Sequence, residues 1–201
     1  MVIIIDYGRG NLFSLSNALK YIGCKHKIIK KPEKIDPSDK LILPGVGAYK
    51  DAILQLNKLG FYDYVKLAAN EGSSILGICL GMQLFSTKSS EFGLTSGFDL
   101  INGEVKKLEL SENYNIPNMG WRKLINHNKI ENGISFDKMM YFVHSYAFYP
   151  NDIDDIVASI KLDNMVVPAI VKKNNILGCQ FHPEKSGSNG LDLLNWFIKD
   201  F

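Results

Sequence analysis

Three short apolar runs limit what this chain can fold into. Val2-Ile-Ile-Ile5, Leu41-Ile-Leu43 and Ile75-Leu-Gly-Ile78 carry no polar side chain. A run that is apolar at every position, rather than every second one, marks a strand covered on both faces, as parallel strands between helix layers are. Each run leads into a glycine-bearing turn: Asp6-Tyr-Gly-Arg-Gly10, Pro44-Gly-Val-Gly47 and Cys79-Leu-Gly81. After the first turn, Leu12, Leu15, Leu19 and Ile22 recur at helical spacing, and Gly23 closes the stripe. Helical patterns also cover Ala48 to Leu59 and Tyr62 to Asn70, and a helix carrying Leu80, Leu84 and Phe85 is expected after Cys79. A short strand near Lys27 to Ile29 precedes a lysine-rich connection from Lys30 to Lys40. There Glu33, Asp36 and Asp39 are interleaved, so it reads as a solvated loop.

From about Phe98 the texture changes to short strands and turns. Val105 to Leu110, Lys123 to Ile125, Tyr141 to Val143 and Ile156 to Ile160 are candidate strands. Val167 to Lys172 and Ile176 to Phe181 flank Asn174-Asn175, a hairpin turn because asparagine tolerates positive φ. A last amphipathic helix is expected over Leu191 to Phe201. With no internal repeat and no Pro-, Gly- or Ser-rich linker, residues 1–201 read as a single α/β domain. Its open, mixed, largely parallel central sheet would be flanked by helices.

Composition removes several functions. The 201 residues hold 23 Lys and Arg against 21 Asp and Glu, a net charge of +2 that calls for no polyelectrolyte partner. Only Arg9 and Arg122 are arginine, too few forks for base or phosphate recognition, so nucleic acid is disfavoured. The 3 cysteines, Cys24, Cys79 and Cys179, build no disulfide framework and point to a reducing, cytoplasmic setting. The opening apolar run stops at Asp6 without a basic leader, so no secretory signal is expected. The longest uncharged stretch, Gly72 to Thr87, falls short of the ~20 apolar residues of a membrane helix.

Chemistry concentrates at the carboxyl ends of the expected strands. Gly77-Ile-Cys79-Leu-Gly81 has the form of a nucleophile elbow, with cysteine where hydrolases often carry serine. Such a strand-to-helix turn strains the nucleophile's backbone and leaves no room for side chains two residues away. It also sets the sulfur above a helix N-terminus, where the dipole favours thiolate and free N–H groups meet a carbonyl oxygen. Alone, these five residues fit a buried structural cysteine equally well. Gly178-Cys-Gln-Phe-His182-Pro-Glu184 shifts the balance. In an extended segment His182 and Glu184 project to one side with Pro183 fixing the backbone between them, so the carboxylate can orient the imidazole. Pro44-Gly45-Val46-Gly47 follows a third buried strand, and its glycines leave a peptide free to turn its N–H into the site. By itself it reads as a plain turn. Gly8-Arg-Gly10 is not a dinucleotide fingerprint, because Phe13 stands at the third glycine position, and no Walker-type phosphate loop is present.

A cysteine elbow followed far downstream by His-Pro-Glu resembles the class I, triad-type glutamine amidotransferase family. More narrowly, five segments resemble the glutaminase subunits of imidazole glycerol phosphate synthase. They are Ile5-Asp-Tyr-Gly-Arg-Gly-Asn11; Leu43-Pro-Gly-Val-Gly47; Gly77-Ile-Cys-Leu-Gly-Met-Gln83; Met119-Gly-Trp121 with Tyr141-Phe-Val-His-Ser-Tyr146; and Gln180-Phe-His-Pro-Glu-Lys-Ser-Gly187. They occur in the family's order and span nearly the whole chain. The resemblance implies a flavodoxin-like core and hydrolysis of L-glutamine by a Cys79–His182–Glu184 triad. It implies oxyanion donors at Leu80 and the Val46 turn, and glutamine held by Gly47, Gln83, Ser145 and Tyr146. It also implies a (β/α)8-barrel cyclase subunit, joined as a heterodimer, which takes the ammonia and makes imidazole glycerol phosphate and AICAR in histidine biosynthesis. Asn11, Met119, Trp121, Tyr141 and Lys185 would face that partner, although Trp121 could equally be a core residue. No cofactor and no metal are implied. Arg9 and Arg122 depart from the family's usual residues, and both are expected near the partner surface. Three other readings stay open: a paralogous glutaminase serving another synthase, such as a sugar-amidinating one, a non-catalytic binding module, and a stand-alone cysteine hydrolase.

Overall fold

Alternate residues of each buried strand feed two different cores, which is why the runs are apolar throughout. The structure, a computed structural model, describes residues 1–127 and 138–201. β1 (Val2–Ile5), α1 (Leu12–Tyr21), β2 (His26–Ile29), β3 (Lys40–Gly45), α2 (Tyr49–Lys58), α3 (Phe61–Asn70) and β4 (Ile75–Cys79) follow in order, and the single turn α4 (Leu80–Gln83) comes next. Val2, Ile4, Ile42, Leu76 and Ile78 pack with Leu15 and Leu19 of α1. Ile3, Ile5, Leu41, Leu43 and Ile75 pack on the other face with Leu56 of α2 and Val65 of α3. Burying each such side chain stabilises the fold by roughly 1.5–3 kcal/mol.

The second half is β-rich. It comprises β5 (Lys88–Ser89), β6 (Thr95–Ser96), β7 (Gly103–Lys107), β8 (Asn118–Lys123), β9 (Ile125–Asn126), β10 (Met139–His144), β11 (Tyr146–Pro150), β12 (Ile156–Leu162), β13 (Met165–Lys173) and β14 (Ile176–Cys179), then α5 (Gly187–Lys199). The central sheet has the order β2-β1-β3-β4-β14-β13-β12-β9. Its first five strands are parallel, and β13, β12 and β9 extend it antiparallel. A smaller sheet, β11-β7-β5-β6, and the antiparallel ribbon β10-β8 stand beside it. α5 covers the α1 face through Leu193, Leu194 and Phe197. The expected mixed, largely parallel α/β sheet is the one found.

Several boundaries differ from the sequence reading. The helix expected through Phe85 stops after one turn at Gln83. The Leu84 carbonyl is taken by the N–H of Phe98, and the Phe85 carbonyl by those of Leu100 and Ile101, so an incoming segment replaces the next helical turn. The strand expected at 105–110 ends at Lys107, and β8 begins well before Lys123. β11, β5 and β6 were not legible. The last helix starts at Gly187, earlier than Leu191, in a Gly-Ser-Asn-Gly stretch that looks like loop. The hairpin is as expected: Asn174 adopts φ +50° between β13 and β14.

Candidate active site

The elbow is built by three glycines. Cys79 ends β4 with φ 54° and ψ −107°, a strained conformation for a residue with a side chain. A Cβ on Gly77 would lie 2.7 Å from the Gly81 carbonyl group, and one on Gly81 would overlap the Leu43 carbonyl oxygen. Gly45 lies directly opposite Cys79 in the parallel ladder. There a Cβ would come within 2.6 Å of the Tyr7 hydroxyl and 2.9 Å of Leu80 Cβ. Close backbone approach, then, explains the first glycine of the Pro44–Gly47 turn, while Gly47 takes φ +99°. The helix beyond Cys79 is one turn long, too short for the dipole contribution expected from sequence. The charge beside this sulfur has to come from a side chain.

His182 supplies it, by a geometry other than the one expected. β14 ends at Cys179, and Pro183–Lys185 form a 3-10 turn with Pro183 at its first position, so His182 and Glu184 are not on an extended strand. The turn nonetheless brings His182 Nδ1 to 2.8 Å from Glu184 Oε1. Burial opposes the imidazolium, but hydrogen bonds to Cys79 and Glu184 and the negative charge of both outweigh it, raising His182 to about 10. Ser186 fixes the turn from behind. Its hydroxyl donates to the His182 carbonyl at 2.6 Å and accepts from the Tyr141 N–H at 3.0 Å. A side chain at Gly190 would overlap the Pro183 carbonyl, so that glycine lets α5 pack against the turn.

Cys79 and His182 open onto a cleft of about 300 Å3. Val46, Gly47, Leu80, Gln83, Ser145, Tyr146 and Lys185, all expected from sequence, line it as well. Gln83 Nε2 donates to the Tyr146 carbonyl and to Gln180 Oε1, each at 2.9 Å. Gln180 Nε2 in turn lies 3.7 Å from Cys79 Sγ. Sequence reasoning assigned no part to Gln180, His144 or Glu91. Glu91 lines the cleft and accepts the Tyr49 N–H at 2.7 Å, while burial raises its pKa. Its only signal in sequence was an acidic residue in an otherwise plain loop.

Of the residues expected at a partner surface, Lys185 lines the cleft, Met119, Trp121 and Tyr141 lie on the β8–β10 ribbon, and Asn11 stands at the start of α1. Trp121 and Tyr141 pair across the β8–β10 ribbon, with ring centroids 5.9 Å apart and an edge-to-face tilt. Trp121 is 46% and Met119 58% exposed, so Trp121 is not a core residue. Asn11 caps α1 by accepting the Ser14 N–H at 3.3 Å. Arg9 sits beside Gly47 and pairs with Asp51 at 3.4 Å, whereas Arg122 bonds Asn118.

Comparison with known proteins agrees with this geometry. Residues 3–201 match the family model of glutamine amidotransferase class-I. The chain is 41% identical to an imidazole glycerol phosphate synthase subunit HisH of Geobacillus kaustophilus, over 98% of this chain and 96% of that protein. It is 43% identical to the protein of the same name from Bacillus cereus, over 98% and 93%. Among solved structures, a glutamine amidotransferase superposes with a TM-score of 0.76 at 19% identity, covering 98% of both chains. PurLQS from Thermotoga maritima gives 0.75 at 19% identity, covering 98% of this chain and 96% of that one. At that identity the superpositions speak for the fold, and the full-length sequence matches for the family. The chain belongs to the class I glutamine amidotransferase family.

Proposed function

We propose that this chain hydrolyses L-glutamine to glutamate and ammonia and delivers the ammonia to the cyclase subunit of imidazole glycerol phosphate synthase. The Cys79 elbow, with His182 against its sulfur and Glu184 at 2.8 Å behind, carries the assignment. The Cys79 thiolate attacks the side-chain carboxamide carbon, and the N–H groups of Leu80 and the Val46 turn receive the oxyanion. As the C–N bond breaks, the His182 imidazolium gives its proton to the departing ammonia and leaves a thioester. Neutral His182 then takes a proton from water, whose oxygen attacks the thioester; glutamate leaves and the thiolate is restored. Glu184 holds the ring in position throughout. Gly47, Gln83, Ser145 and Tyr146 would hold the glutamine, and Glu91 offers a carboxylate to its α-ammonium group.

The full-length relatives named as HisH subunits support the histidine-pathway destination over a glutaminase serving another synthase. In the same reading, Asn11, Met119, Trp121, Tyr141 and Lys185 meet a (β/α)8-barrel cyclase as a heterodimer. Cys24, Cys79 and Cys179 are free thiols, which suits a cytoplasmic enzyme. Among the described residues no helix is long and apolar enough to cross a membrane.

Glutaminase activity measured with and without the purified cyclase subunit and its nucleotide ligand tests the assignment. Weak turnover alone and a large rise in kcat in the loaded complex are expected. Full activity of the isolated chain, unchanged by the cyclase, would remove the partnership.

A further inference from the structure

The Arg122 side chain, on β8, reaches a buried neighbour on the same strand. Its Nε donates to Asn118 Oδ1 at 3.0 Å. A guanidinium has only donors, so the Asn118 amide must show oxygen to Arg122 and its NH2 to His144 Nε2, 2.9 Å away. Nε2 is then the accepting nitrogen, and the ring proton sits on Nδ1, 2.9 Å from the Tyr146 carbonyl, which can only accept. A donor-only group at one end and an acceptor-only group at the other leave a single consistent arrangement of the amide and imidazole between them. Because the same carbonyl accepts Gln83 Nε2, it also orients that amide. Gln83 then orients Gln180, whose NH2 faces the Cys79 sulfur. A half-buried arginine on the ribbon is thus connected, group by group, to the nucleophile.

We propose that Arg122 is a positioning residue: by fixing the Asn118 amide it locks His144 in the neutral Nδ1–H form and so holds the Tyr146 carbonyl at the glutamine-binding edge. This rests on the glutaminase reading of the Cys79 triad. Without Arg122 the amide can turn over, present oxygen to His144 and favour a doubly protonated ring. That would set a second cation beside His182 in the same cleft. Burial already opposes it, as do His182 and Arg122, the cations that face His144; together they outweigh the hydrogen bond to Tyr146 and lower His144 to about 4.

Ring-nitrogen NMR, with glutamine KM and kcat, on the chain saturated with its cyclase subunit tests the proposal. In the unaltered chain and in Arg122→Lys, another donor-only cation, His144 should be neutral with its proton on Nδ1. In Arg122→Met the Nδ1–H form should lose its exclusivity. KM should rise by about fivefold, the effect of one ordinary hydrogen bond, with kcat little changed. If Arg122→Met does not fold, Asn118→Asp replaces it: a carboxylate accepts from both neighbours, and His144 should become doubly protonated at neutral pH. An unchanged His144 ring and unchanged KM in Arg122→Met would overturn the proposal. So would a weaker subunit affinity as the sole defect, or a neutral His144 in Asn118→Asp. Cys79→Ala separates the two readings. Turnover surviving there would end the Cys79 triad reading without touching the His144 result.

Discussion

His182 and His144 line the same cleft, each only 5% exposed, yet their proton affinities have moved in opposite directions. His182 rises to about 10 and His144 falls to about 4. Burial disfavours the imidazolium at both. His182 overcomes it because Cys79 and Glu184 both hydrogen-bond the ring and favour its positive charge. The partners of His144 are an amide and a carbonyl, both neutral, and the nearby charges are cations. Partner charge, rather than depth, therefore decides which histidine is a proton donor and which is a fixed neutral strut.

The largest expected effect removes one side of this contrast. Cys79→Ala should cut ammonia release by about 10⁴-fold or more, because no thioester can form without the sulfur. It should also lower His182 toward an ordinary histidine value, since the sulfur's hydrogen bond and charge are gone. A coupled glutaminase assay and ring NMR titration read both effects. Cys179, fully buried and bonded through its thiol to the Phe181 carbonyl, has no such role, and Cys179→Ala should keep the chemistry.

Next in size is the division of labour within the triad. His182→Ala should cost ~10²–10⁴ in kcat, the usual range for a general acid–base group. Glu184→Gln should cost less, because Glu184 acts through the ring and not on the substrate. Steady-state rates in the complex check the order, and a reversed order would exchange the two roles.

Stability against pH separates the histidines again. Folded His144 lies near 4 and an unfolded histidine near 6.5, so its contribution is complete above 6.5 and is lost as pH falls through 4. His182 runs the other way: its contribution is complete below 6.5 and is lost as pH rises through about 10. A tenfold change in proton affinity on folding is worth about 1.4 kcal/mol. Urea unfolding should therefore show a smaller acid slope in His144→Gln and a smaller alkaline slope in His182→Ala. The smallest effect is expected far from both rings. Asn174→Gly, at the φ +50° hairpin position, should change stability by no more than ~1 kcal/mol and leave both titrations unmoved.

The parallel half was legible because its cause is local. Val2–Ile5, Leu41–Leu43 and Ile75–Ile78 announce two-sided burial by composition alone, and the helical stripes after them repeat at a fixed period. The β8–β10 ribbon was less so. Asn118-Met-Gly-Trp-Arg-Lys123 has little strand character by itself and becomes a strand by pairing with Met139–His144. α4 stops short of its expected length for the same reason, since the residues that end it arrive from Phe98 to Ile101.

The site divides along the same line. Residue order by itself determined the chemistry available: a cysteine between glycines at a strand end, a histidine two residues from a glutamate, and an adaptable glycine turn. Those features report backbone sterics and side-chain type, which are written at each position. Tertiary structure decided which groups carry charge and which way each amide points. Gln180 reaches the sulfur from the neighbouring strand end, Arg122 reaches Asn118 along the ribbon, and His144 finds the Tyr146 carbonyl at its corner. Proton affinity and hydrogen-bond polarity depend on what lies within about 3 Å in space. Chain order leaves that undetermined until β4, β14 and the β8–β10 ribbon have packed around one cleft.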